Sequence, residues 1–329
     1  MSNLGCPHRC VFCDQGQFSA PASPEDVPRL VHDFLSQCSR AQERRRIVAF
    51  FGGSFTGIDE EAFHAYLAAT RDLIGQGVIH GAKASTRPDM VTGEILGLLK
   101  SSGFEELEIG VQSMDDRVLG ASGRGHGSRD SLHACALVKA SGLRLGVQLM
   151  PGLPGEDVRS FRATVDAVCA VAPDTARIYP TVVLAGTPLE VLHRSGRYHP
   201  LSLEDAIHRT LYAMVRLQGL GCTILRMGLP QSASLKVTAG PFHPAFGFLV
   251  KAHAFRIMAT RAMDTLGGSC VLAVNPRDIP ELVGHGRANK RELMFQYSFD
   301  EAIPRGYIRA QDGRESTCIQ LQDILEYIP

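Results

Sequence analysis

The stretch "CPHRCVFC" (6–13) places three thiols, Cys6, Cys10 and Cys13, within eight residues, with no fourth cysteine nearby. Thiols this close together bind a metal or pair as a disulfide. A structural zinc site takes four protein ligands, usually in pairs, but no second Cys-x-x-Cys follows. His8 lies inside the first gap, where reaching the same ion would strain the loop. A disulfide uses two thiols and leaves one over. A four-iron cubane held by three cysteines is the third reading; each iron needs one outside ligand, so one iron stays open to another molecule. The plain alternative is three small buried thiols. Cys38, Cys135, Cys169, Cys222, Cys270 and Cys318 are scattered singly, as buried thiols in a reducing compartment usually are.

Other stretches carry groups that could hold a ligand. "GGSFTG" (52–57) opens with Gly52 and Gly53, which permit positive φ or close backbone approach, and otherwise read as a tight turn. Arg87 in "STRPD" (85–89) could neutralise a carboxylate or be a solvated loop charge. Gln112 in "GVQS" (110–113) and Gln148 in "GVQLMPGLPGE" (146–156) each offer two donors and an acceptor, although a lone buried Gln is more often a satisfied core amide. Arg124 in "RGH" (124–126) is always charged and can fork onto a carboxylate.

A scaffold must bring these stretches together. "RIVAFF" (46–51), "VIHGAKAST" (78–86), "ELEIGVQS" (106–113), "LRLGVQLM" (143–150), "DTARIYPTVV" (174–183) and "CTILRMGL" (222–229) read as strands. Helical patterns alternate with them at 60–74, 94–103, 131–142, 157–171 and 202–221, two closed by Gly and the last opened by Ser202. Repeated strand–helix units imply parallel strands with right-handed crossovers, hence an α/β barrel or part of one. Sites on such folds lie at the carboxyl ends of the strands, and the groups of the 52–57, 85–89, 110–113 and 146–156 stretches fall at or just after strand ends. After residue 230 the pattern changes. A turn carries His243, a helix is expected at 245–268 and a strand at 269–275, then a Gly-rich and basic stretch carries His285. We therefore expect a barrel at 1–230 and a small α+β extension at 231–329. His243 and His285 are weighed as substrate contacts against structural turn residues. "GRANKR" (286–291) and "RAQERRR" (40–46) are weighed as phosphate contacts, the latter against a solvated helix face.

Cys-x3-Cys-x2-Cys, with Phe12 just ahead of the last cysteine, resembles the radical S-adenosylmethionine superfamily, and further matches run from about residue 4 to about residue 230. The resemblance implies a partial (β/α)6 TIM-like barrel and a [4Fe-4S] cluster on Cys6, Cys10 and Cys13. In the family the open iron is chelated by the amine and carboxylate of S-adenosylmethionine. Gly52 and Gly53 then match a turn that contacts the methionine amine, with Ser54 where the family carries an acidic residue. Gln112, Arg124 and Gln148 match segments that line the adenosine and carboxylate. One electron, from a donor of the flavodoxin or ferredoxin type, cleaves the sulfonium, and the 5′-deoxyadenosyl radical removes a hydrogen atom from an unreactive C–H.

Within the superfamily, "LGCPHRCVFCDQG", "FFGGSFTG", "RIYPTVVLAGTPL" and "PLSLEDA" resemble the radical domain of the Elongator catalytic subunit. Those enzymes modify wobble uridines of tRNA with acetyl-CoA and a second, acetyltransferase domain, which implies tRNA as a partner. The chain departs from them in two ways. No G-x-G acyl-CoA loop follows residue 230, and "MSNLG" is too short and polar for the strand that the family places before the cysteines. Either the barrel lacks its first strand or the true start lies upstream, and the loop 6–18 is then expected to be poorly held. Two other functions compete: a radical enzyme of the oxygen-independent coproporphyrinogen oxidase kind, which shares "GVQ" and "GLP", and a non-catalytic iron–sulfur binding protein.

Composition sets the outer limits. The 329 residues carry 34 Lys and Arg against 34 Asp and Glu, so no global field attracts nucleic acid and any such binding needs a local patch. At 44% apolar and 21% charged the chain is not of the disordered class. It shows no run of about eighteen apolar residues and no secretion signal, so we expect a cytoplasmic protein without a membrane partner.

Overall fold

The computed structural model describes residues 5–14, 22–38, 44–232, 235–267, 270–313 and 315–329. The first elements are α1 (Asp26–Ser36), β1 (Ile47–Phe50), α2 (Glu60–Gly75), β2 (Gly81–Thr86), α3 (Gly93–Ser101), β3 (Phe104–Gln112), α4 (Asp116–Ala121), α5 (Ser128–Ser141) and β4 (Arg144–Leu149). Then come α6 (Val158–Ala170), β5 (Thr175–Ile178), β6 (Val183–Leu184), α7 (Pro188–Arg194), α8 (Leu203–Gln218) and β7 (Thr223–Met227). Six strands pair in parallel in the order β1-β2-β3-β4-β5-β7, a curled α/β half-barrel as expected.

Local chemistry starts the helices where the pattern placed them. Side chains of Asp59, Thr92, Asp157 and Ser202 accept hydrogen bonds from the first turns of α2, α3, α6 and α8. Gly142, at φ +79°, closes α5 in a left-handed turn that a side chain would strain. The two sides of each strand differ in chemistry. On β3, Leu107, Ile109 and Val111 are fully buried in the hydrophobic core, while Glu106, Glu108, Gly110 and Gln112 alternate with them on the other face.

The expected strand at 174–183 is two. Pro180 has no N–H for the ladder, so β5 stops at Ile178. Val183 and Leu184 then pair antiparallel with β8 (Val237–Ala239). The remaining elements are α9 (Phe246–Thr265), β9 (Val271–Val274), α10 (Ile279–Val283), α11 (Ala288–Leu293), β10 (Gln296–Phe299), β11 (Tyr307–Gln311) and β12 (Ser316–Gln320). They form a sheet in the order β10-β9-β11-β12 with α9 packed on it, an α+β extension. Across residue 230, β6 pairs with β8, and Leu211 of α8, Val250 of α9, Ile308 of β11 and Ile328 belong to one buried cluster.

The outer edge of β1 pairs with no strand among the described residues. Beside it, α1 and β1 enclose an apolar cavity of about 600 Å³ lined by Val27, Leu30, Phe34, Val48 and Phe50. Residues 1–4 and 15–21, and 40–43 of the basic run, lie outside the described residues. Arg46 serves structure rather than phosphate binding, since its guanidinium donates to the Val78 and Gly77 carbonyls beside the start of β2.

Candidate active site

The cysteine loop is docked on three sides, which differs from the expectation of a poorly held loop. Gly5 abuts the turn after β1 so closely that a Cβ there would lie 2.5 Å from Gly57 C and 2.6 Å from Ile58 N. Val11 N donates to Ser122 O (3.0 Å), and Leu189 N donates to Val11 O (2.8 Å). A Cβ on Gly123 would lie 3.0 Å from Arg9 O, and one on Gly125 would enter the His8 ring. Phe12 packs beside Val118, Met150, Leu153 and Tyr179, and with Val11 beside Val183, Leu189 and Tyr198. Gly5–Asp14 thus fills the space between the β1 turn, the 122–125 loop and α7. Residues 15–18 of the expected loop lie outside the described residues.

Arg124 joins this loop to the strand ends. Its Nη1 donates to Cys10 Sγ (3.4 Å) and its Nη2 to Gly110 O (2.7 Å). Gln148 Nε2 donates to Gln112 Oε1 (3.1 Å), and Gln112 Nε2 and Arg124 Nη2 both flank Gly110. Gln112, Arg124 and Gln148, far apart in sequence, therefore meet at the carboxyl ends of β3 and β4. Gly52 takes φ +106°, as the turn required. Ser54 is fully buried; its hydroxyl faces Thr86 Oγ1 (2.9 Å) and accepts from Arg87 N (3.1 Å). Its hydrogen bonds thus hold the β1 and β2 turns together. Arg87 is clamped by Asp89 (3.0 Å to each oxygen) and donates to the Arg124 carbonyl.

The electrostatics match a group that is not protein. Arg87 Nη1, Arg124 Nε and both ring nitrogens of His126 are buried without a hydrogen-bond partner. Each such orphan costs on the order of 1–3 kcal/mol unless a partner accepts from it or, at the unprotonated ring nitrogen of His126, donates to it. Burial lowers His126 to about 4, with the Arg124 and Arg87 charges adding to the effect, so its ring is neutral at pH 7. Burial also raises the Cys6 thiol, against the pull of Arg87 and Arg124. Cys13 is pushed up to about 12 by burial, then by Cys10 and Cys6. Thiols so raised ionise only when a cationic group takes the charge, as iron does. Among the described residues no three His, Cys, Asp or Glu side chains converge on a single-ion site. A cubane asks for something different, three sulfurs at three separate corners, and the donor set of three thiols beside unpaired cationic donors fits a cluster plus an anionic ligand.

Some residues of the concave face were not anticipated. Glu108 pairs with Arg177 of β5, whose guanidinium lies 4.2 Å from the centre of the Phe51 ring, across from β5 next to Gly52. The alternation of Glu106 and Glu108 with Leu107 and Ile109 was the available signal, because charge inside a two-sided buried strand has to face a lumen. His243 and His285 do come together, with ring centres 5.5 Å apart, but His243 Nδ1 accepts from Ala245 N (3.0 Å) at the start of α9. Arg287 of the Gly-rich stretch takes a left-handed conformation, φ +65°.

A parallel half-barrel with three cysteines and a group of buried polar side chains at its strand ends defines a class of α/β enzymes that bind a cofactor at the barrel mouth. Residues 2–168 match the Radical SAM superfamily and residues 173–256 the Radical_SAM C-terminal domain, so the chain belongs to the radical SAM superfamily of enzymes. It is 26% identical over 249 residues to tRNA uridine(34) acetyltransferase of Methanocaldococcus jannaschii, covering 63% of this chain and 46% of that one. It is 27% identical over 249 residues to Elongator complex protein 3 of Mus musculus (61% and 45%), and 26% identical over 214 residues to protein YhcC of Escherichia coli (61% and 68%). The chain thus spans about half the length of the acetyltransferase relatives it matches. The solved archaeal Methanocaldococcus infernus Elp3 has the same fold, with TM-score 0.60 at 22% identity over 74% of this chain and 61% of that one. The family implies a [4Fe-4S] cluster and S-adenosylmethionine. No helix among the described residues is long and apolar enough to cross a membrane.

Proposed function

We propose that this chain uses a [4Fe-4S] cluster and S-adenosylmethionine to remove a hydrogen atom from its substrate. The observation that carries the reading is Arg124, which touches Cys10 Sγ on one side and the Gly110 carbonyl at the strand ends on the other. One side chain therefore ties the thiol loop to the polar groups at the strand ends. When bound, the reduced cluster and S-adenosylmethionine supply a 5′-deoxyadenosyl radical, the hydrogen-abstracting species.

The chain's own residues do the rest. Cys6, Cys10 and Cys13 would hold the cluster. The free donors of Arg124, Arg87 and His126 suit a carboxylate. The Gly52–Gly53 turn, opened by its positive φ and braced by the Ser54 hydroxyl, presents backbone to the methionine end. The paired amides of Gln112 and Gln148 suit ribose hydroxyls. The apolar group of Phe12, Val118, Met150, Leu153 and Tyr179 walls water from one flank of the cysteine loop. A flavodoxin- or ferredoxin-type partner would supply the electron.

For the substrate we put tRNA first, supported by relatives named for uridine 34 of tRNA. The test is 5′-deoxyadenosine formation by the reconstituted, reduced protein with and without bulk tRNA. Acceleration that ribonuclease treatment abolishes supports tRNA. An unchanged rate removes it as substrate and leaves the radical chemistry standing.

A further inference from the structure

The concave face carries more cationic charge than it pairs. Arg177 is register partner to Arg226 of β7, so two guanidinium side chains leave adjacent strands on the same side. Adjacent strands lie only about 4.8 Å apart. Glu108 answers Arg177, but among the described residues no carboxylate lies within 4 Å of Arg226, whose Nε donates to its near neighbour Gly228 O (3.2 Å). Tyr179, two residues beyond Arg177, packs its ring in the apolar cluster that holds Phe12 of the cysteine loop and so borders the group. The position matters as much as the charge. Gln148 is register partner to Arg177 on the other side, so the pair sits one strand spacing from the glutamines assigned to the cofactor. The Phe51 ring fixes the Arg177 guanidinium toward the centre of the lumen rather than along its wall.

We infer that Arg177 and Arg226 form a substrate subsite for a compact oxyanion, a phosphate or a carboxylate. Arg177 reaches across the lumen to Glu108 and Phe51 and Arg226 turns back on Gly228 O, so what the two share is their origin on paired positions of neighbouring strands, from which both could be turned on one anion. Glu108 holds Arg177 in place and offsets one of the two charges, and a bound anion offsets the other. The subsite faces the side where β7 has no further strand among the described residues, which gives a bulky substrate a way in. Its place beside Gln148 brings the anchored substrate against the cofactor pocket, so this inference rests on the radical reading for its purpose though not for its chemistry.

The experiment reads anion binding by the full chain, as purified and again after cluster reconstitution, through the thermal midpoint. Inorganic phosphate and acetate are titrated separately against chloride at equal ionic strength. We expect saturable stabilisation by one or both, the stronger naming the oxyanion class. Arg226→Gln should weaken it at least tenfold, as should Arg177→Gln, while Arg256→Gln, on the exposed face of α9, leaves it unchanged. Arg226 is exposed, so its variant folds even if Arg177→Gln does not. No saturable effect in the wild type, an equal effect in Arg226→Gln, or displacement of phosphate by S-adenosylhomocysteine would overturn the assignment. Because the first arm needs neither cluster nor S-adenosylmethionine, failure of the radical chemistry leaves its result intact, and a null result here leaves the cluster assignment intact.

Discussion

Replacing Gly5 by Ala tests whether the cysteine loop is held by backbone fit. Gly5 sits at φ +74°, where an L side chain costs about 1–2 kcal/mol. Its new Cβ would stand 2.5 Å from Gly57 C and 2.6 Å from Ile58 N, so the backbone must part by about 1 Å to reach ordinary contact. Neither neighbour is the end of a flexible side chain, and forced overpacking adds roughly 1–3 kcal/mol. The total, about 2–5 kcal/mol, is at least as large as the two backbone hydrogen bonds of Val11 together, worth about 1 kcal/mol each. The loop should therefore undock while the barrel stays folded. Cys6 follows Gly5 directly, and ligand positions tolerate only about 0.2 Å. We expect iron and labile sulfide retained through gel filtration to fall at least about thirtyfold, the equivalent of ~2 kcal/mol, with the thermal midpoint down by a few degrees at most. Gly97→Ala in α3, where a Cβ meets nothing within 4 Å, is the control and should retain the cluster. A Gly5→Ala protein with wild-type iron and sulfide would refute the reasoning.

Three further outcomes follow from the same geometry. Gly57→Ala presses on the same contact from the other side, with its Cβ against Gly5 O, and should lose iron as Gly5→Ala does; retention in one but not the other would separate φ strain from contact. Arg124→Gln should weaken S-adenosylmethionine binding to the cluster-loaded protein about 10- to 100-fold, the loss of a charged hydrogen bond, and equilibrium dialysis showing unchanged affinity would remove Arg124 from the cofactor. Glu156, which accepts from Gly152 N and Arg209 Nη1 (2.6 Å each), is raised by burial from 4.5 to about 7, so the fold favours its protonated form. That contribution is present below about pH 4.5 and lost as pH rises through about 7. Wild type should therefore lose about 3 kcal/mol against Glu156→Gln between pH 4.5 and 8 in urea unfolding, and a constant difference would show that the carboxyl titrates normally.

What the sequence made legible was local. The three cysteines declare themselves by spacing alone. Gly52, Gln112 and Gln148 lie at or beside the ends of strands whose apolar runs are plain, Arg124 lies beyond the short helix that follows β3, and it was the resemblance to the radical S-adenosylmethionine superfamily that gave these residues a role. The Glu108–Arg177–Phe51 group was missed because it exists only through register; its members come from β3, β5 and the end of β1, and nothing near each one in sequence names the others. α1 was not anticipated, although Val27, Leu30, Val31, Phe34 and Leu35 stand at helical spacing; Leu30 and Phe34 remain exposed beside β1. β10 and β12 are short edge strands of mixed polarity, so alternation could not reveal them. The docking of the cysteine loop depended on glycine contacts between Gly5 and Gly57, which leave no mark in a hydrophobicity pattern.

The central claim is that Cys6, Cys10 and Cys13 carry a cluster that acts on S-adenosylmethionine. The direct measurement is anaerobic reconstitution of wild type and Cys10→Ala, with iron and sulfide counted per chain, then chemical reduction with S-adenosylmethionine and quantitation of 5′-deoxyadenosine. The account predicts four irons and 5′-deoxyadenosine from the wild type. It predicts neither from Cys10→Ala, which stays folded because the lost side chain is small and the other six cysteines are too dispersed to replace it. A fully loaded, reduced wild type that forms no 5′-deoxyadenosine, or a Cys10→Ala protein that holds four irons, would contradict it.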